Sequence, residues 1–164
     1  MHNQNPDLII EKYSSLIYRV ALNQLRNRTD ADDIFQEVFL RYFKKKHSFS
    51  SDEHEKAWFI RVTINLCKTY RTTAFARYRA DFEECEDITF EFPEESLLHI
   101  AISGLPIKYS GVIHLFYFEG YQTDEIAKVL KVLPSTVRTR LSRGRKMLKE
   151  SLDKHNEILD ALEA

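Results

Sequence analysis

Residues 135–149 read Ser-Thr-Val-Arg-Thr-Arg-Leu-Ser-Arg-Gly-Arg-Lys-Met-Leu-Lys. Arg138, Arg140, Arg143, Arg145, Lys146 and Lys149 are basic and no side chain here is acidic, although the whole chain has a formal net charge of −1. Val137, Leu141 and Leu148 recur at helical spacing, so an apolar seam leaves the cationic and hydroxyl side chains on the other faces. Guanidinium groups pair with phosphates, and an arginine can bond a guanine edge bidentately; Ser and Thr reach phosphates or base edges. The chemistry on offer is therefore recognition of DNA by Ser135, Thr136, Arg138, Thr139, Ser142, Arg143 and Lys146. Arg145, Lys146 and Lys149 read equally as phosphate contacts or solvated charge.

Such a helix needs a partner to hold it in a groove. A short helix opening at Thr123-Asp124-Glu125, with Thr123 as cap, offers Ile126, Ala127 and Leu130 to a core. Ala127 is small where two helices must cross closely. Val132-Leu133-Pro134 turns the chain, and Ser135 is placed to cap the cationic helix. These parts make a helix-turn-helix.

The bulk sequence is that of a helical protein. Of 164 residues, 43% are hydrophobic and 30% charged, with only four Gly and four Pro, which disfavours a β-rich or loop-rich fold. Charge divides the chain in three. Residues 1–74 hold 12 basic and 9 acidic side chains, 75–96 hold 2 and 8, and 97–164 hold 10 and 8. The expected fold is all-α: two small helical domains, 1–74 and 94–164, joined by an acidic linker at 75–93.

In the first domain, Asp7 is a fair cap for a helix with Leu8, Ile9, Tyr13, Leu16, Ile17, Val20, Ala21 and Leu25 inward. Asp30 can cap a second, carrying Ile34, Phe35, Val38, Phe39 and Tyr42 and ending at Lys44-Lys45-Lys46. A polar loop at 47–54 precedes a third helix over 55–72, with Trp58, Phe59, Val62, Ile64, Leu66 and Cys67. Asp32, Asp33, Gln36 and Glu37 form an acidic patch on the second helix, which reads either as a solvated face with carboxylates favoured by the helix dipole or as a face suited to a basic protein surface and repelling DNA. Trp58, Arg61, Asn65, Lys68, Tyr70 and Arg71 mix rings, cations and an amide along one helix; Trp58 and Phe59 read first as core residues. The second domain continues with helices over 94–103 and 107–118, separated by Gly104-Leu105-Pro106 and ended by Gly120.

Other functions are disfavoured. The histidines have no ligand spacing, and no Gly-rich phosphate loop, HExxH or GxSxG is present, so neither an enzyme, a cofactor nor a metal site is expected. Cys67 and Cys85 suit neither a disulfide framework nor zinc; Cys67 is expected buried and Cys85 incidental. The longest apolar run, 112–118, is interrupted by His114 and is too short to cross a bilayer. With no signal peptide visible, a cytoplasmic protein is expected.

Gly120-Tyr121-Gln122-Thr123-Asp124-Glu125-Ile126-Ala127, followed by the residues from Ser135 to Lys146, resembles region 4 of bacterial RNA polymerase sigma factors, most closely the extracytoplasmic-function group. Asp30-Ala31-Asp32-Asp33-Ile34-Phe35-Gln36-Glu37-Val38-Phe39-Leu40 resembles the start of region 2, and Ala57-Trp58-Phe59-Ile60-Arg61-Val62-Thr63-Ile64-Asn65-Leu66 its later helix. Order, spacing and length agree, and only the linker matches weakly.

The resemblance implies a promoter-specificity subunit without catalysis. Asp32, Asp33, Gln36 and Glu37 would dock on core RNA polymerase. Trp58, Arg61, Asn65, Lys68 and Arg71 would take the −10 element of promoter DNA, with Asn65 at a flipped-base pocket and 47–55 as the specificity loop. The helix-turn-helix would read the −35 element. It also implies an anti-sigma factor that releases the protein on a signal, with neither a small-molecule substrate nor membrane insertion. The alternative is a helix-turn-helix regulator acting without polymerase, which would usually bind a palindrome as a dimer.

Overall fold

The computed structural model describes residues 5–78 and 97–163, and every regular element among them is helical. The acidic linker from residue 79 onward, Cys85 and the expected helix start at 94 lie outside the described residues. The chain divides into two compact units, Met1–Ile88 and Thr89–Ala164.

The first unit is built on α1 (Pro6–Leu25), α2 (Arg28–Lys44) and α3 (Asp52–Tyr78). Asn5, not Asp7, caps α1: its side chain accepts from the Asp7 amide at 3.2 Å, with Pro6 in the first turn where its missing N–H costs nothing. Asn27, not Asp30, caps α2 in the same way, accepting from the Asp30 amide at 3.1 Å. The aspartates sit two and three residues further in, within the first turn, where their charge meets the positive end of the helix dipole. The core comprises Ile9, Tyr13, Leu16, Ile17, Val20 and Ala21 of α1, Ile34, Val38 and Phe39 of α2, and Phe59, Ile60, Ile64, Leu66 and Cys67 of α3. Leu8, expected inward, is 61% exposed. Burial pushes the Cys67 thiol up to about 12, against the pull of nearby Arg71.

The third helix is longer than the expected 55–72. Ser51 Oγ accepts from the His54 amide at 3.1 Å and starts it at Asp52, so 52–54 belong to the helix and not to the polar loop, and Glu55 lies in its first turn. Glu55 is 5% exposed. Its Oε1 accepts from the Tyr13 hydroxyl at 2.8 Å and its Oε2 from the Tyr42 hydroxyl at 3.1 Å, and Lys12 Nζ lies 4.0 Å from Oε1. One carboxylate thus ties all three helices together. Burial, then the hydrogen bond to Glu55, raises Tyr42 to about 12 and Tyr13 further.

The second unit comprises α4 (Leu97–Ser103), α5 (Ile107–Ile113), α6 (Thr123–Leu130) and α7 (Pro134–Glu163). The helix expected over 107–118 does not run through: its last turn, His114–Phe118, is π-helical, with the Glu119 amide donating to the His114 carbonyl at 3.2 Å. The Glu119 carboxylate stands 3.2 Å from His114 Nε2, both side chains buried. The wider turn rotates the following rings, leaving Tyr117 and Phe118 exposed. Gly120, at φ +74°, then lets the chain reverse.

Candidate nucleic-acid interface

The turn between α6 and α7 is built by backbone bonds. Lys131 is left-handed (φ 56°), its amide donates to the Lys128 carbonyl at 3.4 Å, and the Val132 amide reaches the Ala127 carbonyl at 3.0 Å. These two bonds are the Schellman arrangement, here with a lysine where glycine is usual. At the other end of α6, the Glu125 carboxylate accepts from the Gln122 amide at 3.2 Å, so the cap is Gln122, one residue before the expected Thr123. Pro134 opens α7, and the Thr136 and Val137 amides donate to the Leu133 carbonyl. Ser135 therefore lies in the first turn and is not the cap, which leaves its hydroxyl outside the helix start.

Val137, Leu141 and Leu148 are buried, as are Ile126 and Ala127 facing them; Leu130 is half-buried. Ser135, Arg138, Thr139, Ser142, Arg143 and Lys146 are exposed, and Thr136 half-exposed. The sequence-predicted residues thus lie together along the open side of the first four turns of α7. Arg143 is partly engaged: it and Lys108 hydrogen-bond the Tyr109 hydroxyl, and although burial acts to raise that group, these cations bring it below the ordinary tyrosine value. Arg145 departs from its expected place. Its Nε donates to the Tyr117 hydroxyl at 2.7 Å, and its guanidinium lies over the Phe116 and Tyr117 rings at 5.6 and 5.5 Å.

Gly144 was missed as a structural residue. It is buried, and a Cβ there would come within 2.6 Å of Ile113 Cδ1 and 3.4 Å of Tyr109 Cβ. The missing side chain lets α5 and α7 approach closely here, as Ala127 was expected to do between α6 and α7. A glycine inside a strongly periodic helix was the available signal.

In the first unit, Trp58, Arg61, Asn65 and Lys68 follow one another at three- and four-residue steps along α3, so they share a face. Asn65 and Lys68 are exposed; Trp58, Arg61 and Arg71 are half-buried. Burial lowers Arg71 from the usual arginine value. Phe59 is fully buried. Trp58 lies between the two expected roles, its ring meeting His47 (4.7 Å), Phe59 (5.1 Å) and Tyr42 (5.7 Å) while part of it stays open. The Tyr70 hydroxyl donates to Asp30 and so is committed to α2.

The acidic patch on α2 is also narrower than its four residues. The Tyr18 hydroxyl donates to Asp32, which turns it toward α1. Asp33 and Gln36 are exposed and Glu37 half-exposed, with Arg41 Nε 2.9 Å from Glu37. Leu40 (63% exposed) and Phe43 (45%) continue this face. The surface is amphipathic, an apolar ridge beside carboxylates, and not purely acidic.

Among the described residues no group of three or more His, Cys, Asp or Glu could hold a metal ion, and no helix is long and apolar enough to cross a membrane.

Residues 9–77 match the sequence model of Sigma-70 region 2, and residues 96–148 that of Sigma-70 region 4. The chain is 30% identical to the ECF RNA polymerase sigma factor SigE of Mycolicibacterium smegmatis over 161 residues, covering 92% of this chain but 62% of that protein. It is 30% identical to the RNA polymerase sigma factor SigV of Bacillus subtilis, covering 85% of this chain and 86% of SigV. SigW of the same organism is 28% identical, with 88% and 87% covered. Among solved structures, the sigma factor RpoE from Bartonella quintana, co-crystallised with the anti-sigma factor NepR, has the same fold: TM-score 0.67, 18% identity, 90% of this chain and 96% of that chain covered.

Proposed function

We propose, on the premise that this chain belongs to the sigma-70 family of RNA polymerase sigma factors, that it is a promoter-specificity subunit of the extracytoplasmic-function type. It binds core RNA polymerase in the cytoplasm and directs initiation at promoters carrying its −10 and −35 elements. Sigma factors are non-enzymatic initiation factors, and this chain supplies recognition while the polymerase supplies catalysis.

The observation that carries this reading is the order of the two matches on one chain, each falling on a unit with an exposed polar face. In the second unit, Ser135, Thr136, Arg138, Thr139, Ser142, Arg143 and Lys146 read the −35 duplex. In the first, Trp58, Arg61, Asn65, Lys68 and Arg71 take the −10 strand, by stacking and backbone contact that need no energy source. Asp33, Gln36, Glu37 and Leu40 dock on the polymerase, with Asp32 supporting them from the α1 side. By likeness to RpoE, an anti-sigma factor holds the protein until a signal releases it.

The test mixes the purified chain with core RNA polymerase, followed by size exclusion and promoter-dependent transcription. Co-elution and specific transcripts are expected. Tight binding to a palindromic duplex by the chain alone, without co-elution, would mean a polymerase-independent regulator instead.

A further inference from the structure

Tyr42 is the hub of a ring cluster beneath the chain segment between α2 and α3. Its ring lies nearly parallel to His47 (5.4 Å, 20°) and Phe49 (6.3 Å, 5°), and steeply inclined to Trp58 (5.7 Å, 66°). His47 stacks in turn on Phe49 (5.5 Å, 14°). Below this cluster Tyr42 stacks on the buried Phe59 at 4.9 Å. Stacking alone leaves a ring free to slide over its neighbours. A directional bond at the hydroxyl removes that freedom.

The bond comes from Glu55. Its two oxygens are held by different donors, Tyr13 on α1 and Tyr42 on α2. Tyr13 is itself fixed, with its ring 4.3 Å from Phe59. Oε1 also has Lys12 Nζ at 4.0 Å, so its hold does not rest on Tyr13 alone, and Oε2 alone carries the bond that places the Tyr42 ring. A buried carboxylate is costly to desolvate, and an apolar side chain would fill the same space more cheaply. Its presence here points to a requirement for direction.

We propose that Glu55, acting through Tyr42, is a positioning residue that sets the ring platform of Tyr42, His47, Phe49 and Trp58 and so determines which −10 base the first unit accepts. This rests on the reading that the first unit takes the −10 strand. A platform held in one place favours one base geometry over others; a platform free to slide stacks on all of them.

Three variants of the full chain, reconstituted with core RNA polymerase, test it: Tyr42→Phe, Glu55→Gln and Tyr13→Phe. Open-complex formation is measured on promoters with single −10 substitutions, and Trp58, the sole tryptophan, reports on the platform by its fluorescence in the free protein. Tyr42→Phe and Glu55→Gln are expected to flatten discrimination among −10 variants by roughly fivefold, the effect of one lost hydrogen bond, to shift Trp58 emission, and to leave −35 dependence unchanged. Tyr13→Phe should lose stability but keep its discrimination. Wild-type discrimination in Tyr42→Phe overturns the proposal, even if Glu55→Gln fails to fold. Equal flattening by Tyr13→Phe and Tyr42→Phe also overturns it, since that is general loosening. Indifference of the wild type to every −10 substitution removes the −10 reading itself, and the proposal with it.

Discussion

Arg145 Nε donates to the Tyr117 hydroxyl at 2.7 Å, on the exposed surface of the second unit. The π-helical turn at His114–Phe118 makes this bond possible, because it rotates Tyr117 outward to meet α7. One cation of the basic stretch is thereby tied to the fold, whereas Arg138, Arg143 and Lys146 stay exposed on either side of it.

The two kinds of arginine separate on promoter binding. Arg138→Ala is expected to weaken −35 use by about 1–3 kcal/mol if it reads a base pair, with the loss confined to promoters carrying the preferred base. Arg145→Ala is expected to leave −35 preference intact and to cost about 0.5–1.5 kcal/mol of folding stability through the lost bond to Tyr117. Competition among −35 variants, run with the reconstituted polymerase, checks both. Altered preference in Arg145→Ala would return that residue to the interface.

Gly144 sets the α5–α7 spacing, which a double-mutant cycle can measure. Alanine in place of a mid-helix glycine normally gains about 0.5–1 kcal/mol. Here the new Cβ would meet Ile113 Cδ1 at 2.6 Å, so Gly144→Ala alone is expected to gain little or lose stability. Ile113→Val removes that atom. Added to Ile113→Val, Gly144→Ala should recover about the normal gain. Urea unfolding of the four proteins gives the coupling, and additive effects would show that the contact is relieved some other way.

How far the sequence could be read depends on what each residue competes with. Helices in both units were legible because apolar spacing at positions such as Val137 and Leu141, or Ile17 and Ala21, has one reading. Caps were misplaced where two polar residues stand close together: Asn5 and Asp7 both suit a helix start, and Pro6 between them decides it. The open face of α7 was legible because exposure follows from the buried seam. The face on α2 was half legible. Asp32 and Asp33 are identical in kind, and only the position of Tyr18 on a different helix separates them. The tie made by Glu55 was not legible, because the tyrosines that hold it are 42 and 13 residues away.

Alkali should destabilise the first unit. Cys67 and Tyr42 have folded values of about 12, and Tyr13 is raised as well. The unfolded chain releases these protons earlier, from about pH 9 for Cys and 10 for Tyr. Stability from these groups is therefore full below pH 9 and is lost as pH rises toward their folded values. Trp58 fluorescence against urea at pH 8, 9, 10 and 11 is expected to give falling midpoints above pH 9. Cys67→Ala should shift the onset of the fall upward, toward the tyrosine range, whatever its own cost at pH 8. A flat profile would mean that these groups reach water in the native state.

The face of α2 proposed to dock on the polymerase combines charge with apolar area, and the two contributions can be tested apart. Asp33 and Glu37 stand one turn apart on α2, with Leu40 and Phe43 exposed beyond them. Opposed charges mainly steer encounter and exclude wrong partners, whereas a buried apolar anchor slows release. Asp33→Lys with Glu37→Lys is expected to abolish polymerase binding, since it places like charge against a basic partner surface. Leu40→Ala is expected to speed dissociation with little change in association rate. It is also expected to leave folding stability within about 0.5 kcal/mol, because Leu40 contributes little to the core. Surface-immobilised core polymerase, with each variant's helical circular dichroism as a folding control, resolves the rates. If the double lysine variant binds normally while folded, the polymerase contacts another face, and Leu40 and Phe43 must be covered by something else.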